Sequence, residues 1–156
     1  MSLNWLDKPI ATIAEQSIQK ANDRQRQLTK PPGSLGKLEE LAVKFSAIQK
    51  TQQPQIKNIH ISIFAADHGI ANENVSAFPQ VVTTEMVKNF SRGGAAISVL
   101  AKELDAKLEV IDLGTVVEAG ELEGVISSRI AKGTANFAQQ AAMTEAQLEK
   151  AFDAGI

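Results

Sequence analysis

IHISIFAADHGIANENVSAFPQ, residues 59–80, is the stretch on which the fold turns. It opens as an unbroken run of mostly apolar and β-branched residues, 59–66. It then breaks into Asp67, His68 and Gly69 and a polar loop that closes on Ser76, Ala77, Phe78, Pro79 and Gln80. A continuous apolar run bounded by turn residues reads as a strand buried on both faces. In open parallel sheets, ligands bind beyond the carboxyl ends of the strands. A strand that ends in an acid, an imidazole and a glycine is therefore a candidate site. His60, inside the run, reads as a sheet residue near the strand's edge rather than a ligand. His68 has no packing reason to stand where it does, so turn-forming and substrate-contacting roles are both open.

Downstream, residues 82–90 read as a short helix with Thr83 or Thr84 near its start and Met86, Val87 and Phe90 on one face. Gly93 and Gly94 break it, and a small-residue helix resumes over 95–104. This glycine pair reads as a helix junction before a phosphate nest. Residues 108–113, LEVIDL, form a second strand with Asp112 near its end and Gly114 and Thr115 following. Strand, helical crossover and strand make a βαβ unit, so the sheet is expected to be parallel with a right-handed crossover. That topology brings Asp67 and Asp112 to one sheet edge. The remainder is loop-like and acidic over 116–124, and polar over 127–137, where Arg129 and Lys132 face an anion or water. It ends in a helix over 144–154 with Thr144 as N-cap. Two strands leave a sheet with open edges, so the α/β part reads as incomplete.

Upstream, residues 5–28 have helical spacing, with Trp5, Leu6 and Pro9 at the start. LTKPPGSLGKLEELA, residues 28–42, ends that helix at two prolines, turns at Gly33, and offers Ser34 as N-cap for a second helix. Lys30, beside the Pro-Pro-Gly-Ser turn, reads as an anion contact or, more simply, as a solvated lysine. The expected organisation is thus a helical segment over 1–52 and an incomplete α/β domain over 53–156.

Composition narrows function. The net charge of −2, with mixed signs along the chain, argues against nucleic acid. No apolar run approaches the ~20 residues of a membrane span, and the N-terminus lacks a secretory pattern, so the cytoplasm is expected. The absence of cysteine excludes disulfides and thiolate chemistry. Two histidines without ligand spacing give no metal site, and no cofactor is expected.

Several motifs together are more specific. KPPGSLG (30–36), FAADHGIANENVSAFPQVVTTEMVKNFSRGGAAISVLA (64–101), VIDLGT (110–115), KGTANF (132–137) and AMT (142–144) resemble one family closely, in order and at natural spacing. That family is nicotinate-nucleotide:dimethylbenzimidazole phosphoribosyltransferase, which assembles the lower ligand of cobalamin. The resemblance implies a doubly wound, Rossmann-like α/β domain with a small helical domain built from both chain ends, and a homodimer. It also implies transfer of the phosphoribosyl group of nicotinate mononucleotide to 5,6-dimethylbenzimidazole, giving α-ribazole 5′-phosphate and nicotinate. Residues carried over are Ser76, Phe78, Pro79, Gln80, Thr83, Glu85 and Met86 as the aromatic-base wall, with Asp67 and His68 at its floor. Phe78 and Met86 suit a flat apolar base, and Gln80 or Glu85 would orient it. Glu85 stands where the family usually has Gln.

Family members are longer than this chain. Beyond the position of Ile156 they continue into a glycine-rich Glu-Met-Gly-Ile-Gly-Asn-Thr-Thr type segment and a late general-base glutamate. No catalytic residue is therefore expected up to Ile156, because proton abstraction needs a carboxylate within hydrogen-bond reach. The chain reads as the N-terminal portion of the transferase, inactive alone. Two other readings are a non-catalytic binder of an aromatic base and a dimerising remnant.

Overall fold

The computed structural model describes residues 7–155. They divide into two units, one reaching to Lys57 and the other starting at Asn58.

In the first unit, helices α1 (Glu15–Gln27) and α2 (Lys37–Gln49) pack as a pair, with Ala21 on α1 and Ser46 and Ala47 on α2 buried. The helix expected from residue 5 starts only at Glu15, and residues 7–14 are irregular. Pro9 disfavours helix at Lys8, and the β-branched Ile10, Thr12 and Ile13 follow; both isoleucines stay exposed. Trp5 and Leu6, expected at the helix entry, lie outside the described residues. So does Ile156, the position beyond which the general base is expected. Ser34 does not cap α2. That position belongs to Gly36, whose φ of +51° suits a glycine. The Glu39 carboxylate instead reaches back to the Leu35 N–H at 3.1 Å and pairs with Lys30 Nζ at 2.8 Å. Lys30 is thus not a solvated lysine: its side chain is only 13 % exposed. Lys30 and the Leu35 N–H together hold the Glu39 carboxyl below its usual value.

In the second unit, β1 (His60–Ala66), β2 (Lys107–Gly114) and β3 (Val125–Ser127) form a parallel sheet in the order β1-β2-β3. Between β1 and β2 run α3 (Val81–Ser91) and α4 (Ala96–Glu103), the expected crossover, joined at Gly93 and Gly94. The third strand has no counterpart in the sequence reading. Three residues are too few to show a period.

Register explains the core. Ile63 pairs with Val110 and Val110 with Val125, so these three share one face. They pack with Ala65 beside Val87 and Phe90 of α3. The opposite face carries Phe64, Ile111 and Ile126 in register, and here the expectation of a strand buried on both faces fails. Exposure alternates along β1, and Phe64 is 50 % exposed. Among the described residues β1 has a neighbouring strand on one side only, and on its second face Phe64 is half exposed while Ile111 beside it is buried. On that face His60 lies 3.0 Å from Glu109, which also accepts from Ser62 and pairs with Lys107. His60 is an exposed sheet residue, as its position in the run suggested. α5 (Glu145–Asp153) closes the described chain, with Thr144 and Gln147 forming a reciprocal capping box.

Candidate active site

β1 delivers Asp67 to the carboxyl edge of the sheet, where it is buried. Its N–H donates to the Gly114 carbonyl, Oδ2 accepts the Val116 N–H at 2.7 Å, and Oδ1 accepts the Thr83 hydroxyl at 2.6 Å. One carboxylate thus ties the end of β1 to the loop after β2 and to the first turn of α3. Asp112 does similar work on β2. Its Oδ1 accepts the N–H groups of Gly114 and Thr115, and Oδ2 lies 2.9 Å from Arg129. The two acids meet at one edge, as the βαβ topology requires.

After Asp67 the chain runs against residues 133–136. The Thr134 N–H donates to the Asp67 carbonyl, and the Gly69 N–H donates to the Thr134 carbonyl. The approach is so close that a Cβ on Gly69 would sit 2.5 Å from the Asn136 nitrogen. Gly133 has φ +86°, and a Cβ there would lie 2.9 Å from the Asp67 carbonyl oxygen. Both positions therefore need glycine. Glu73, the only charge in the loop, is held by Asn136 Nδ2 at 2.6 Å.

A short 3-10 turn, Gly69–Glu73, leads to the pocket wall. The Ser76 hydroxyl accepts the Phe78 N–H and donates to the Phe78 carbonyl, which fixes the backbone before Pro79. Gln80 Nε2 donates to the His68 carbonyl at 3.0 Å, closing the loop onto its own start. The result is an open cavity of about 450 Å³ at the carboxyl end of β1, within the range of about 300–1,000 Å³ typical of small-molecule sites. Val75, Phe78, Val82 and Met86 make its wall apolar, and Asp67, His68, Ser76, Gln80 and Thr83 supply the polar groups.

The expected site residues therefore meet around one cavity, except Glu85. That side chain does not line it. Its carboxylate lies 2.7 Å from Lys88, whose hydrogen bond and charge hold it below the usual carboxylate range. His68 lines the cavity, and its Nδ1 lies 3.4 Å from the Thr134 hydroxyl. It also lines a second, smaller cavity of about 150 Å³ with Leu113, Ile130 and Met143. Among the described residues no group of His, Cys, Asp and Glu could hold a metal ion.

Arg129 is the residue whose role sequence reasoning left open. Its guanidinium pairs with Asp112, donates to the Thr115 hydroxyl at 2.8 Å and carbonyl at 2.6 Å, and its Nε lies 3.8 Å from the exposed Glu118. Nothing in the sequence around Arg129 marks that partner, since the burial of Asp112 appears only in the structure.

Comparison with known proteins gives the family and the fold. A family model described as Phosphoribosyltransferase matches residues 10–156. The chain belongs to this family. A nicotinate-nucleotide–dimethylbenzimidazole phosphoribosyltransferase of Xanthomonas campestris pv. campestris (strain B100) is 54 % identical over 155 residues, covering 99 % of this chain and 44 % of that protein. Its counterpart in Pseudomonas putida (strain W619) is 52 % identical over 153 residues, 97 % of this chain and 43 % of that protein. Among solved structures, CobT from Thermus thermophilus superposes with a TM-score of 0.83 at 44 % identity, over 90 % of this chain and 42 % of that one. The chain thus spans less than half the length of the family members it matches. Its α/β fold is the family's, and among the described residues no helix is long and apolar enough to cross a membrane.

Proposed function

We propose that these residues form the aromatic-base side of a nicotinate-nucleotide:dimethylbenzimidazole phosphoribosyltransferase. The reaction moves the phosphoribosyl group of nicotinate mononucleotide to a ring nitrogen of 5,6-dimethylbenzimidazole, releasing nicotinate and giving α-ribazole 5′-phosphate. One observation carries the reading: in a chain of this family, an apolar cavity at the sheet's carboxyl edge is walled by Phe78 and Met86 with few polar groups. A flat, apolar base fits such a wall, because aromatic faces and a thioether give contact area without unpaired polar atoms.

Asp67 is the one carboxylate in that wall among the described residues, and both its oxygens are already bonded. It holds the pocket rather than the base's proton. In this reading the general base comes from beyond Ile156, and the chain alone binds the base without transferring to it. A homodimer and a cytoplasmic setting belong to the same reading and rest on the family alone.

Fluorescence titration of the chain with dimethylbenzimidazole tests the proposal. Saturable binding is expected, weakened about tenfold in Met86→Ala through lost apolar contact. Transfer from nicotinate mononucleotide by the isolated chain would contradict the assignment of the base to another segment.

A further inference from the structure

Beyond the cavity wall lies a continuous polar path that the family assignment does not use. It starts at Arg129, two residues past β3, and its guanidinium donates to Asp112 Oδ2 and to both oxygens of Thr115. Thr115 is fully buried, and its hydroxyl donates to the Val117 carbonyl at 2.7 Å. The same carbonyl accepts the hydroxyl of Thr84, also fully buried, on α3 at 2.7 Å. Between them the Val116 N–H donates to Asp67 Oδ2, and Asp67 Oδ1 accepts from Thr83. Residues 115–117 are therefore gripped by Arg129 on one side and grip the start of α3 on the other. Thr83 and Met86 of the pocket wall ride on that helix.

We propose that Arg129 is a positioning residue for the aromatic-base pocket, setting the loop 115–117 that fixes the first turn of α3 and so the wall formed by Thr83 and Met86. This rests on the reading of the cavity as the base site. The guanidinium suits the task because its planar fork reaches a carboxylate, a hydroxyl and a carbonyl from two separate nitrogens; an ammonium presents its three N–H donors from a single atom and does not match that spread. No part of Arg129 lines the cavity, so its effect on a bound base runs through the loop. The Arg129 NH groups and Asp112 form a largely buried pair, with side chains 18 % and 4 % exposed, so solvent does not replace the contact when it is lost.

The test combines residue-resolved amide exchange with dimethylbenzimidazole titration on the full 156-residue chain. In Arg129→Met the Thr115 and Val116 amides, and those opening α3, are expected to exchange about tenfold faster, as for a lost hydrogen bond. The β1–β2 ladder should keep its protection, and the dissociation constant for the base should rise. Arg129→Lys, which keeps the charge opposite Asp112 but not the fork, should fall between. If Arg129→Met does not fold, the lysine variant carries the comparison. Unchanged exchange at Val116, or an equal loss of protection throughout the sheet, overturns the positioning role. Faster exchange at Val116 in a chain that does not bind dimethylbenzimidazole would leave the positioning of α3 standing and sink the base-site reading.

Discussion

At the scale of single residues, the site is built by carboxylates used as ties. Asp67 takes a backbone N–H and a hydroxyl from two different segments. Asp67→Ala strands both donors, and the cost is expected to be about 2–4 kcal/mol in urea unfolding, since buried unpaired donors carry the full desolvation penalty. Glu85 is the contrasting case. Its partner is Lys88 on the surface of α3, so Glu85→Gln should leave affinity for the base unchanged in the same titration. Glu39 gives a pH dependence. Its folded-state carboxyl is lowered by Lys30 and the Leu35 N–H, so its contribution is present above the unfolded value of about 4.3 and is lost as pH falls through the folded one. Thermal melts from neutral to acid pH should show part of the acid-side decline disappear in Glu39→Gln. The residues around the cavity were legible from the motif between Asp67 and Met86. Arg129 was not, because a lone arginine in a polar stretch has no pattern that says what it will face.

At the scale of elements, legibility followed length. β1, β2, α2, α3, α4 and α5 have periods or apolar runs long enough to read, and the structure places each within a few residues of its expected span. β3 has three residues, so only its pairing with β2 makes it a strand. The expected span of α1 is too long because apolar spacing continues through Ile10 and Ile13, side chains that never find a core. Caps divided in the same way. Thr144 with Gln147 is a capping box, whereas at α2 Gly36 stands at the cap with no side-chain bond and Glu39 takes the Leu35 N–H just before it. Thr144→Ala should therefore cost about 1 kcal/mol, seen as a lower urea midpoint with an unchanged slope.

At the scale of the whole molecule, the open sheet face matters most. The row Phe64, Ile111 and Ile126 is apolar, yet Phe64 and Ile126 are about half exposed. Replacing a fully buried phenylalanine by alanine costs about 3–5 kcal/mol. Phe64→Ala in this chain should cost about half that or less, measured by urea unfolding, because much of its apolar area already faces water. The expectation of an unfinished sheet came from counting strands; Ile111, between the two exposed side chains, is itself buried. The family's members extend beyond the portion matched here.

The three methionines offer the most direct test of the base-site claim. Met86 lines the larger cavity and Met143 the smaller one, so each reports on its own cavity. With methionine methyls labelled with carbon-13, NMR titration with dimethylbenzimidazole should move the Met86 resonance to saturation while Met143 stays in place. Movement of Met143 alone, or of neither, would contradict the assignment of the Phe78–Met86 wall as the base site.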